Sequence, residues 1–137
     1  MISKVYSYHP DSRGGSLIHI EVFSQKGLPS WSVVGLPGRS IREAKERIIA
    51  AFLETGIDPR GYKWVINLSP AFQNKDGSLF DLALAVSLWI QMSNQDLPLD
   101  FNKTIIVMKK TTITAFVFLC FWCHYIYLGQ WGKQILF

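Results

Sequence analysis

Cysteine is nearly missing from this sequence, and acidic residues are missing from its last quarter. Of 137 residues only 2 are cysteine, Cys120 and Cys123. That excludes a disulfide-stapled architecture for the body of the chain, and the cysteine-free stretch before them suits a reducing compartment. The run Cys120-x-x-Cys123-His124 matches a metal-binding or haem-attachment pattern, yet it is embedded in "FVFLCFWCHYIYL". No second ligand pair and no polar shell accompany it, so the pair reads as part of an apolar stretch, and no metal or cofactor is expected. The opening "MISKVYSYHP" carries no apolar run of the signal-peptide kind, and a cytoplasmic location is expected. All 10 acids fall between Asp11 and Asp100, and beyond Lys110 the only charge is Lys133. The stretch from Thr111 onward is therefore a different kind of polypeptide from the rest.

What is present is enough for one core. An apolar fraction of 49% argues against disorder throughout, and a net charge of +4 is too small to dictate a partner. Three strand-like segments come first: Lys4–His9, Ser16–Phe23 and Trp31–Gly35. The alternation in the second puts Ile18, Ile20 and Val22 on one face, the expected core face. The turns "PDSRGG" and "QKGLPS" are short, so the three strands are expected to lie antiparallel. A helix is predicted from Ile41 to Thr55, with Ser40 and Glu43 as a capping box and Gly56 as the stop. Its buried stripe is Ile41, Ala44, Ile48, Ala51 and Phe52. A strand over Tyr62–Pro70 follows, with Trp64, Ile66 and Leu68 facing one way. After the turn "NKDGS" a second helix is predicted, capped by Ser78 with Asp81 three residues on. It is apolar nearly all round and must be covered on more than one side. "KTIIVM" reads as one more strand.

The stretch "SVVGLPGRSIREAKERI" has the strand–glycine turn–helix order of a phosphate-binding P-loop. The match fails in detail. With Gly38-Arg39-Ser40 set on the last three positions of G-x-x-x-x-G-K-[ST], the leading glycine falls on Val33, and Arg39 replaces the lysine. Pro37 removes an N–H from a loop whose task is to aim N–H groups at phosphates. The residues read better as a capped turn. A weak anion or nucleic-acid contact through Arg39, Arg42 and Lys45 at the helix N-terminus is the alternative. The helix largely neutralises itself, because Glu43 and Arg47, and Arg42 and Glu46, stand four apart.

Several segments together resemble a known family. "IEVFSQKGLPSWSVVGLPGRSIREAKERIIAAFLETG" and "INLSPAFQNKDGSLFDLALAVSLW" resemble the N-terminal domain of the magnesium chelatase-like AAA+ proteins of the competence-associated ComM type. The similarity runs from Ile2 to about Met108. It implies an α/β (α+β) fold like domain 2 of ribosomal protein S5, related to the Lon protease domain, with a mixed sheet packed against two helices. It further implies that residues 1–108 form the leading domain and 109–137 a divergent apolar extension. In the family this domain precedes an ATPase module that assembles into hexamers and remodels DNA. ATP and magnesium are thus expected only for a full-length relative, and this chain is expected to be a non-enzymatic accessory domain. Its expected partners are the ATPase module, sister subunits or DNA. The Lon relationship raises a Ser–Lys hydrolase alternative, but the position matching that nucleophile is Leu79, and a serine without an activating base is inert.

Beyond Met108 the resemblance stops abruptly, as a change of reading frame would make it. Residues 111–130 carry no formal charge and are long enough to cross a bilayer as a helix, with Lys109 and Lys110 at one end. Membrane attachment through this segment is the third expectation.

Overall fold

The computed structural model describes residues 2–10, 12, 14–71, 75 and 80–93. "KTIIVM", the cysteine pair, Ser78, Leu79 and the possible membrane segment 111–130 lie outside them. Among the described residues four strands and two α-helices follow in the order β1 (Ser3–His9), β2 (Ser16–Lys26), β3 (Ser30–Val34), α1 (Arg39–Glu54), β4 (Tyr62–Ser69) and α2 (Asp81–Ser93). The architecture is the expected mixed sheet with two helices. Among the described residues no helix is long and apolar enough to cross a membrane.

The strand order is β1-β2-β4-β3. β1 and β2 pair antiparallel from Ser3↔Val22 to His9↔Ser16, as the short turn between them dictates. The expectation that β3 would continue this meander is overturned. β4 occupies the place beside β2, antiparallel over His19↔Ser69 to Lys26↔Tyr62, and β3 lies outside it, parallel, from Ser30↔Lys63 to Val34↔Asn67. The reason lies in burial and connection. β4 presents Trp64, Ile66 and Leu68 wholly to the core, whereas β3 is half-exposed along its length, which suits an edge. The helix α1 then serves as the crossover that returns the chain to the starting end of β3.

The even-numbered face of β2 and β4 carries the core. Ile18, Ile20, Val22, Trp64, Ile66 and Leu68 pack with Ile41, Ala44, Ile48, Ala51 and Phe52 of α1 and with Leu82, Leu84 and Leu88 of α2. Each large side chain so buried contributes about 1.5–3 kcal/mol. α2 rests on β1 and β2 with α1 alongside, and eight of its residues are buried, the cover on several sides that its composition required. Two hydroxyls enclosed there find backbone partners: the Ser3 hydroxyl donates to the Ser87 carbonyl at 3.0 Å, and the Ser87 hydroxyl to the Ala83 carbonyl at 2.8 Å.

α1 ends as its sequence indicates. Gly56 adopts φ 79° and donates to Leu53, while the next N–H, of Ile57, reaches Phe52, each at 3.0 Å. This is a Schellman motif, and the left-handed residue it needs is glycine. The start differs from expectation. The helix begins at Arg39, its N-cap is Gly38 in extended conformation, and no side chain caps it. Ser40 is already inside the first turn, so the Ser40–Glu43 capping box does not form.

Candidate functional site

The motif-bearing segments converge where β3 and β4 end and the helices begin. β3 runs out at Val34 into Gly35, Leu36, Pro37 and Gly38. Gly35 has φ 96°, and a Cβ there would lie 1.9 Å from the Leu68 carbonyl oxygen, so the turn is pressed against the end of β4 and only glycine fits. Leu36 is also left-handed, at φ 53°, with its side chain half-exposed. Few residues other than glycine, asparagine and aspartate hold this conformation without support from their surroundings.

That support comes from Lys75, which is fully buried. Its N–H donates to the Leu36 carbonyl at 3.2 Å, and its own carbonyl accepts from Gly38 N–H at 2.5 Å, a parallel bridge centred on Pro37. Its ammonium Nζ donates to the Gly35 carbonyl at 2.8 Å and to the Pro70 carbonyl. Burial lowers the Lys75 pKa from the ordinary lysine value, because removing an ammonium from water disfavours the charged form.

A second link joins the helices. Arg47 of α1 grips Asp81 of α2 with two bonds, Nε to Oδ2 at 2.6 Å and Nη2 to Oδ1 at 3.0 Å. Nη2 also donates to the Ser40 carbonyl at 2.9 Å, satisfying a group in the first turn of α1. The hydrogen bond to Asp81 raises the Arg47 pKa above its ordinary value.

The residues expected at an anion site stand differently. Arg39 is tied to Glu43 at 2.7 Å on the exposed face of α1, and that bond raises its pKa. Lys45 pairs loosely with Glu46 at 4.0 Å. Arg42 is exposed. The expected i,i+4 pairs are thereby replaced: Glu43 takes Arg39 instead of Arg47, Glu46 takes Lys45 instead of Arg42, and Arg47 turns inward to Asp81. Asp81 was expected as a cap partner of Ser78. It opens α2, and its carboxylate accepts from Arg47, while Ser78 lies outside the described residues. Among the described residues no cluster of histidine, cysteine, aspartate or glutamate could hold a metal.

Chemically, the turn that occupies the P-loop position is closed from within. One helix-terminal N–H, that of Gly38, is spent on a backbone carbonyl, and the nearest buried ammonium is spent on two more. Sequence reasoning missed Lys75, which lay unremarked in the turn "NKDGS". Its only signal was residue type, since a turn has no periodicity to mark an inward-facing position.

Comparison with known proteins bears on this arrangement. The family model described as subunit ChlI of magnesium chelatase matches residues 20–112, more than half of the chain. YifB of Escherichia coli K12 is 39% identical over 71 residues, covering 52% of this chain and 14% of YifB. The competence protein ComM of Haemophilus influenzae Rd is 32% identical over 84 residues, covering 61% of this chain and 16% of ComM. A Mycobacterium tuberculosis H37Rv protein is 31% identical over 87 residues, 64% of this chain and 17% of its own length. The chain thus corresponds to less than a fifth of the relatives it matches.

Proposed function

This chain belongs to the magnesium chelatase subunit ChlI family, in its ComM-like branch, and on that footing we propose that it is an accessory, contact-making domain without chemistry of its own. The observation that supports this reading most directly is the Lys75-closed turn. The segment that most resembles a nucleotide loop spends Gly38 N–H and the Lys75 ammonium on internal carbonyls, which leaves it a structural joint. ATP hydrolysis then belongs to an ATPase module such as the family's full-length members carry. The partners of this domain are that module, sister subunits or DNA, in the cytoplasm.

DNA contact, on this reading, runs through the exposed side of α1 at Arg39, Arg42 and Lys45. Arg42 is the strongest of the three, because Arg39 and Lys45 already have carboxylates beside them.

The test uses the purified chain together with E. coli YifB from which the matching N-terminal region has been removed. The chain alone should leave ATP unhydrolysed and should co-elute with the shortened YifB on size exclusion. ATP turnover by the chain alone, or labelling of Ser78 by a serine-reactive probe, would overturn the non-catalytic reading. DNA binding is read by fluorescence anisotropy at low and high salt. Contact through α1 requires salt-sensitive binding that falls when Arg39, Arg42 and Lys45 are neutralised together.

A further inference from the structure

We propose that Lys75 is a conformational clasp that makes the β3–α1 turn and Pro70, at the end of β4, open and close as a single unit. One residue holds both. On the turn side it bonds Gly35, Leu36 and Gly38, through its ammonium, its N–H and its carbonyl respectively. On the other side the same ammonium holds the Pro70 carbonyl, one residue past the end of β4. Among the described residues, backbone pairing tethers Lys75 to the turn at Pro37. The side chain adds a second tie that reaches back across the ends of the parallel strands.

The turn cannot relax piecemeal. Gly35 sits against the Leu68 carbonyl, and Leu36 is held left-handed with an exposed side chain, a backbone state that persists only while its neighbours enforce it. Releasing Lys75 therefore frees Gly35, Leu36 and Gly38 in one step, and with Gly38 goes the first helical bond of α1, Arg42 N–H to Gly38 carbonyl. The Arg47–Asp81 pair joins α1 to α2 by side chains separate from the clasp. Opening of the clasp consequently leaves α1 and α2 docked while the entry to α1 loosens, a sub-global event of the kind that native-state hydrogen exchange resolves.

The experiment is amide hydrogen exchange on the complete chain across a series of low urea concentrations. In the unmodified protein the amides at Gly38, Arg42 and Lys75 should share one opening curve, lying below that of the β1–β2 ladder at Val5 and Ile20. Lys75→Ala should lower protection at Gly38 and Arg42 together, by about tenfold or more, with Val5 and Ile20 little changed. Propylammonium in the buffer should restore that protection in Lys75→Ala, and propanol should not, which separates a tie made by the charged amine from mere filling of space. Separate opening curves for Gly38 and Lys75 in the unmodified protein would overturn the proposal, and so would unchanged protection at Gly38 in Lys75→Ala. Should the substitution unfold the chain, the curves of the unmodified protein decide the matter alone.

Discussion

Arg47 and Asp81, 34 positions apart in sequence, form a two-pronged ion pair between α1 and α2, with Asp81 buried and Arg47 about one-third exposed. Removing one partner of such a pair strands the other, and that costs more than the pair contributes. Asp81→Asn is expected to lower stability by about 2–4 kcal/mol, towards the lower figure because Arg47 keeps some access to water. The double substitution Arg47→Met, Asp81→Leu is expected to cost less than Asp81→Asn alone, since no stranded charge remains. Urea unfolding monitored by tryptophan fluorescence checks both.

Gly35→Ala tests the close approach of the turn to β4. The added methyl meets the Leu68 carbonyl oxygen at 1.9 Å, and the backbone sits at φ 96°. Both faults act together, and a loss of more than about 2 kcal/mol is expected in thermal or urea unfolding. Gly56→Ala has open space around the new carbon but keeps the unfavourable φ of 79°, so its loss should be smaller.

The buried ammonium makes stability depend on alkaline pH in a definite direction. Lys75 has a lowered pKa in the folded protein, through desolvation, while in the unfolded chain it titrates in the ordinary lysine range. Between those two values the unfolded chain binds more protons than the folded one, so this residue makes stability rise with pH across that window and level off above it. Lys75→Met removes the rise. The measurement is the difference in unfolding free energy between the unmodified protein and Lys75→Met from pH 7 to 11, which cancels the other lysines and the tyrosines.

Asp58 gives the acid counterpart on the surface. Its carboxylate accepts from the Arg60 side chain at 2.8 Å from both Nε and Nη2, and from the Arg60 N–H at 2.9 Å, and these bonds lower its pKa to about 2. Its contribution to stability is complete above the ordinary carboxylate range and disappears as pH falls through that lowered value. In Arg60→Ala the carboxyl resonance should titrate close to an ordinary aspartate, by carbon-detected NMR; an unmoved midpoint would show that the backbone N–H alone sets it.

Local chemistry was readable from the residues wherever a period or a cap spoke. The alternation of Ile18, Ile20 and Val22, the inward row Trp64, Ile66 and Leu68, the stripe of α1 and the glycine stop at Gly56 all stand as the sequence indicated, because each depends on neighbours within a few positions. The start of α1 was misread. Ser40 and Glu43 have capping-box spacing, but the chain turns into the helix two residues earlier, at Gly38, where Lys75 offers a carbonyl to the N–H. The surface pairs of α1 were misassigned for a related reason: with Arg47 drawn inward to Asp81, Glu43 is left to Arg39.

The sequence by itself determined which residues are apolar and at what spacing, and hence the strands, the helices, their inward faces and, through several motifs taken together, the family. The tertiary structure alone decided that β4 separates β2 from β3, that Lys75 faces inward and that Arg47 meets Asp81. Spacing along the chain reports only on near neighbours, whereas each of these outcomes is a competition among groups 30 or more positions apart, resolved by which arrangement buries the apolar faces and leaves the enclosed charges with partners.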